Sequence, residues 1–144
     1  MKKVLIAFII IGVCFGFAAC GQAGGKTGNV EVIIGDSVRF DREEIVRAAD
    51  SVIKEFADFK GCELTQLWYD EAISDFTIDG YVESGSGSVN GVGKENVIVL
   101  LSNFDVDSSG GDGSFNPNST YTDWNWIVIR DSENEDWYIK DWGY

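Results

Sequence analysis

Two hydrophobic rhythms divide the chain near Gly61. From Phe40 onward, apolar residues recur at Ile45, Ala49, Val52, Phe56 and Phe59, the 3.6-residue stripe of a helix that buries one face. Asp41 followed by Glu44 is a capping pair, and Phe40 with Ile45 can staple the first turn, so the helix is predicted to start at Asp41. Glu43 with Arg47 and Asp50 with Lys54 stand four apart on its outer side, and Gly61 is its predicted stop.

Beyond Gly61 the rhythm becomes that of strands. Residues 62–70, 96–106, 124–130 and 137–142 are rich in β-branched and aromatic side chains. A polar turn, residues 131–136, separates the last two. Residues 71–95, with Gly and Ser repeated through 80–93, are expected to be loop with at most a short helical turn, and residues 30–34 are a β-prone lead-in. One helix laid over a four-stranded antiparallel sheet is the predicted architecture, an α+β domain.

The N-terminal residues follow a third pattern. Met1-Lys2-Lys3, an apolar run to Phe17, then Ala18-Ala19-Cys20 have the order of a signal peptide, and the run is shorter than the ~20 residues of a spanning helix. Residues 1–19 are therefore expected to be a lipoprotein signal peptide, Cys20 the lipidated residue, residues 20–28 a flexible tether and residues 29–144 a single domain. The protein is therefore expected at a bacterial membrane surface, extracytoplasmic and held by its lipid.

Removing residues 1–19 takes Lys2 and Lys3 and no acid, leaving 11 − 2 = 9 basic against 24 acidic residues, a net charge of 9 − 24 = −15. Phosphate backbones need clustered Lys and Arg, so no nucleic-acid partner is expected. The sequence has no histidine, which removes Ser-His-Asp triads, Cys-His dyads and His-ligated zinc together. With Cys14 in the signal and Cys20 lipidated, Cys62 remains as the single thiol of the domain, expected to be a small buried hydrophobe like its neighbour Tyr69. No cofactor and no catalytic residue is expected.

Three stretches carry a resemblance: Gly61-Cys62 through Leu64, Leu67 and Tyr69-Asp70-Glu71; the run ENVIVLLSNFDVDSSGGDGSFNPNSTYTDWNW at 95–126; and the closing Asp141-Trp142-Gly143-Tyr144. Over residues 34–144 the chain resembles a domain of unknown function found in small bacterial lipoproteins and in extracellular parts of larger membrane proteins. The resemblance implies a cystatin-like or nuclear-transport-factor-2-like fold, a sheet curved around a helix, and brings no catalytic residues.

Two segments are candidates for chemistry. Asp105, Asp107 and Asp112, among Ser and Gly, could offer oxygen ligands to Ca²⁺, although Asn116 stands where an EF-hand needs Glu; the other reading is a solvated hairpin loop. The loop 108–123 is long enough to suggest function. Trp124 and Trp126 share one strand face beside it while Ile127 and Ile129 take the other; Trp137 and Ile139 lie opposite Tyr138 and Trp142. With one helix to cover two apolar faces, Trp124, Trp126, Tyr121 and Asn118 are candidate ligand contacts for a protein or glycan partner, set against a Trp-rich core. The runner-up is a hydrolase acting on envelope glycans through two of Asp70, Glu71, Asp105, Asp107 and Asp112; a third reading is a structural accessory subunit of a membrane complex.

Overall fold

The computed structural model describes residues 24–144; the expected signal peptide and Cys20 lie outside the described residues. β1 (Glu31–Ile34) leads through α1 (Arg42–Phe56) into β2 (Cys62–Tyr69). Then come α2 (Glu71–Glu83), α3 (Ser86–Asn90), a 3₁₀ turn at Lys94–Asn96, β3 (Val97–Val106), β4 (Thr120–Ile129) and β5 (Tyr138–Gly143). The five strands form one sheet in sequence order, with β1 parallel to β2 and the other neighbours antiparallel.

This corrects the expected fold. The sheet is five-stranded and mixed, and several helices accompany it, where one helix on a four-stranded antiparallel sheet was expected. β1 can run parallel to β2 because α1 supplies the crossover that returns the chain to the same end of the sheet. Residues 71–95 are not loop: α2 begins where the Asp70 carboxylate accepts the Ile73 amide at 3.0 Å.

α1 starts as its sequence dictates. Asp41 is the N-cap, the Glu44 carboxylate accepts the Asp41 amide at 3.2 Å, and Phe40 is buried beside the helix. Its stripe of Ile45, Ala48, Ala49, Val52 and Phe56 packs with Leu64, Leu67, Ile98, Leu100, Phe104, Trp126 and Val128 into the larger core. On the opposite face Ile78 and Tyr81 of α2 meet Val97, Val99 and Ile129 in a second core. Register pairs between β2 and β3 stop at Leu101, and beyond them the Ser74 hydroxyl of α2 accepts the Val99 amide at 3.1 Å. A helix thus closes the ladder where β2 ends.

The far ends of α1, β4 and the β4–β5 turn are tied by Arg130. This guanidinium, 5% exposed, pairs with Glu44 at 2.6 Å and donates to the carbonyls of Glu133 and Glu95 and to the Asn96 side chain. It also lies 4.5 Å from the Trp137 ring centroid. A buried charge is tolerable only when satisfied in this way.

The two cores make opposite predictions for residues two apart on α2. Ile78→Ala should cost about 2–5 kcal/mol, whereas Phe76→Ala, at a position 82% exposed, should fall within about 0.5 kcal/mol of the parent. Urea midpoints check both. Equal midpoints for the two variants would contradict the second core.

Candidate functional site

Strict strand alternation is broken at three places, and two of the breaks deliver an aromatic ring to the α1 face. β3 residues Ser102 and Phe104 oppose Trp124 and Tyr121, so β4 bulges at Thr122 and Asp123, the latter at φ 56°. On the other flank Leu64 and Gln66 oppose Phe104 and Asn103, a bulge at Thr65. Asn103 serves both: its side chain accepts the Asp123 amide at 3.1 Å and donates to Gln66 at 2.9 Å, while its carbonyl accepts the Thr65 hydroxyl at 3.0 Å. The third bulge, at Lys140, sets Trp142 opposite Trp126. Alternation alone places Trp142 on the far face with Tyr138; the extra residue turns it to α1.

The result is a continuous aromatic cluster at one pole, where α1 ends and β3 runs out. Phe59 stacks on Phe115 at 5.7 Å between centroids and meets Trp142 edge-on at 5.9 Å. Tyr121 stacks on Phe104 at 5.1 Å, and Tyr144 packs against Trp124 at 5.2 Å. Trp142 is 46% exposed and Tyr144 80%. A cleft of about 360 Å³ opens between Trp142 and the loop, lined by Phe59, Phe115, Trp142, Asp58, Lys60 and Asp112 among others.

The expected ligand contacts separate on inspection. Trp126 is fully buried and donates its indole N–H to Ser102 at 2.8 Å, so it belongs to the core. Trp124 is half-buried, and its indole nitrogen is buried without a partner. Tyr121 is half-buried with its hydroxyl accepting the Asn116 amide, and Asn118 is a turn residue at φ 52°. Phe115, Trp142 and Tyr144 are the rings nearest solvent at this pole that the candidate set omits, and the buried Phe59 lies beneath Phe115 and Trp142. The bulges that bring Trp142 and Tyr121 there leave no mark on a pattern of period two.

The acidic residues engage separate partners. Asp105 accepts the Thr120 hydroxyl at 2.6 Å, Asp107 the hydroxyl and amide of Ser109 at 2.5 and 2.8 Å, and Asp112 stands 3.6 Å from Lys60. Among the described residues no group of three or more His, Cys, Asp or Glu is arranged to hold a metal ion, and these three carboxylates are not brought together. Residues 110–113 form a left-handed helical turn, with Gly110, Gly111, Asp112 and Gly113 all at positive φ; three glycines make that hand affordable. Asp70 caps α2, and Glu71, at the opposite pole, accepts the Ser37 hydroxyl and the amides of Val38 and Arg39. The Ser37 hydroxyl foremost, then those amides, hold the Glu71 carboxyl below its usual range.

Residues 44–143 match the family described as Domain of unknown function (DUF4829), and the chain belongs to that family. No curated protein and no solved structure matches it. Among the described residues no helix is long and apolar enough to cross a membrane.

Cys62, in the lining of a neighbouring cleft, is buried as expected. Burial, with a smaller contribution from the Asp107 charge, pushes its thiol up to about 11. Because the thiolate is the nucleophile, the folded protein should resist iodoacetamide at pH 8 and react promptly in urea. Comparable rates in the two states would place Cys62 outside the core.

Proposed function

We propose that this chain is a lipid-anchored extracytoplasmic binding module that meets a component of the cell envelope through the aromatic pole. The observation that carries the reading is the pair of exposed rings, Trp142 and Tyr144, resting on a packed aromatic cluster beside an open cleft. An exposed aromatic costs solvation, whereas rings held rigidly by neighbours bind with little loss of conformational entropy. The cluster supports Trp142 from beneath through Phe59 and Trp126. The anchor follows from the signal-like residues 1–19 and Cys20.

Two measurements check this. Cys20→Ser should abolish incorporation of labelled fatty acid and leave the chain unprocessed or released; normal labelling would overturn the anchor. Separately, a soluble 21–144 chain should sediment with isolated envelopes, and Trp142→Ala should weaken that association about tenfold, the loss of a modest hot spot. Equal retention of parent and variant, with both folded by circular dichroism, would remove the aromatic pole from the binding surface.

A further inference from the structure

Residues 24–26, the described part of the expected tether nearest Cys20, are paired to the domain. The Gly25 amide donates to the carbonyl of Ala57 at 2.9 Å, the Lys26 amide to that of Cys62 at 2.9 Å, and the Leu64 amide to that of Lys26 at 2.9 Å. Lys26 thus adds a parallel bridge to Glu63. The approach is too close for any side chain: a Cβ on Gly25 would stand 1.9 Å from the Phe56 carbonyl oxygen, and one on Gly24 2.6 Å from that of Ala57. The chain is therefore clamped to the domain from Gly24 onward.

Cys20 and Gly24 are 24 − 20 = 4 residues apart, and so many residues span at most about 14 Å when fully extended. The clamp sits at one particular pole. Gly24 and Lys26 line a cleft with Gly61, Asp107 and Ser109, where α1 ends, β2 begins and β3 finishes. The aromatic rim borders the same end, because the Trp142 ring meets Phe59 at 5.9 Å and lines a cleft with Lys60, the neighbour of Gly61. The opposite pole, with the acidic turn Asp131, Glu133 and Glu135, stands a ten-residue strand away, about 30 Å.

We infer that the domain docks pole-down on the membrane that holds its anchor, so that the surface met by Trp142 and Tyr144 is the lipid headgroup layer. The inference rests on the lipid-anchored reading above. Trp and Tyr are the side chains suited to that layer, apolar in body and polar at the tip. The acids at this pole, Asp58, Glu63, Asp105 and Asp112 among them, favour a zwitterionic surface over a strongly anionic one.

The test uses the full processed chain in vesicles of phosphatidylethanolamine with a minor share of phosphatidylglycerol, doped with a headgroup-spin-labelled lipid. A fluorophore is placed at Ser108→Cys, near the clamp, or at Ser132→Cys, at the far pole; Cys62 is buried and does not compete for the label. Fatty-acid labelling of each sample reports the anchor separately. The expected result is loss of about half the Ser108→Cys emission with no change at Ser132→Cys, given reaches of about 14 and 30 Å. A Gly-Ser linker of about 20 residues inserted between Ala23 and Gly24, reaching roughly 25 Å, together with Trp142→Ala should restore the emission while labelling is unchanged. Lipidated protein with equal emission at both poles would overturn the docking and leave the anchor standing, as a domain held off the surface for a protein partner would behave. Protein without fatty acid would overturn both.

Discussion

Strand β3 is apolar on both faces, and the rest of the fold follows from having to cover it. Val97, Ile98, Val99, Leu100 and Leu101 are all buried, a run that no half-exposed sheet can accommodate. Ile98, Leu100 and Phe104 take cover from α1; Val97 and Val99 take it from α2. Each helix enters the chain immediately before the strand edge it needs: α1 carries the crossover between β1 and β2, and α2 follows directly where β2 stops. At about 25 cal/mol per Å² of apolar surface removed from water, neither face of the central strand could be left open in a domain with only some 5–15 kcal/mol of net stability.

Covering both faces uses up two of the four tryptophans on or beside β4 and β5 that face α1. Trp126 is sealed under Phe56 and Phe59, and Trp137 lies under Arg130. The helix ends at Phe56, however, before β3 and β4 do. The remaining aromatics at that end must cover one another, and they do so through Phe59, Phe115, Tyr121, Trp124, Trp142 and Tyr144. The exposed rings are thus the outermost layer of a core that has run out of helix, at the pole where the N-terminal segment is also clamped.

What was legible in the sequence was local. The capping pair Asp41 and Glu44 and the stripe from Ile45 to Phe56 define α1, and β-branched runs mark β2 to β5 to within a few residues. The largest miss, α2, had a weak signal in Asp70 before Glu71 and in Ser74, Ile78 and Tyr81 spaced four and three apart. Gly80 and the glycines after it obscured that signal. β1 is four residues with three of them exposed, so nothing in its pattern distinguishes a parallel edge strand from a lead-in. The bulges at Asp123 and Lys140 depend on strand pairing, and Gly24 and Gly25 read as tether because close backbone approach and flexibility call for the same residue. That the chain carries a domain of unknown function was legible in its motifs; one helix on a four-stranded antiparallel sheet, the fold expected with it, is not what the chain adopts.

The proposed orientation of the domain at a membrane depends on the pairing of residues 24–26 with the domain. If the chain from Gly24 to Lys26 were loose, the proposed anchor would reach past the aromatic pole and leave it free to turn in any direction. Native-state hydrogen exchange of the soluble domain measures this directly. The Lys26 and Leu64 amides, which bond Cys62 and Lys26 across the edge of β2, should be protected to the same degree as neighbouring β2 amides, exchanging only through shared opening of that edge. Exchange of Lys26 at the rate of an unstructured peptide, while β2 and β3 stay protected, would contradict the clamp and the short anchor built on it.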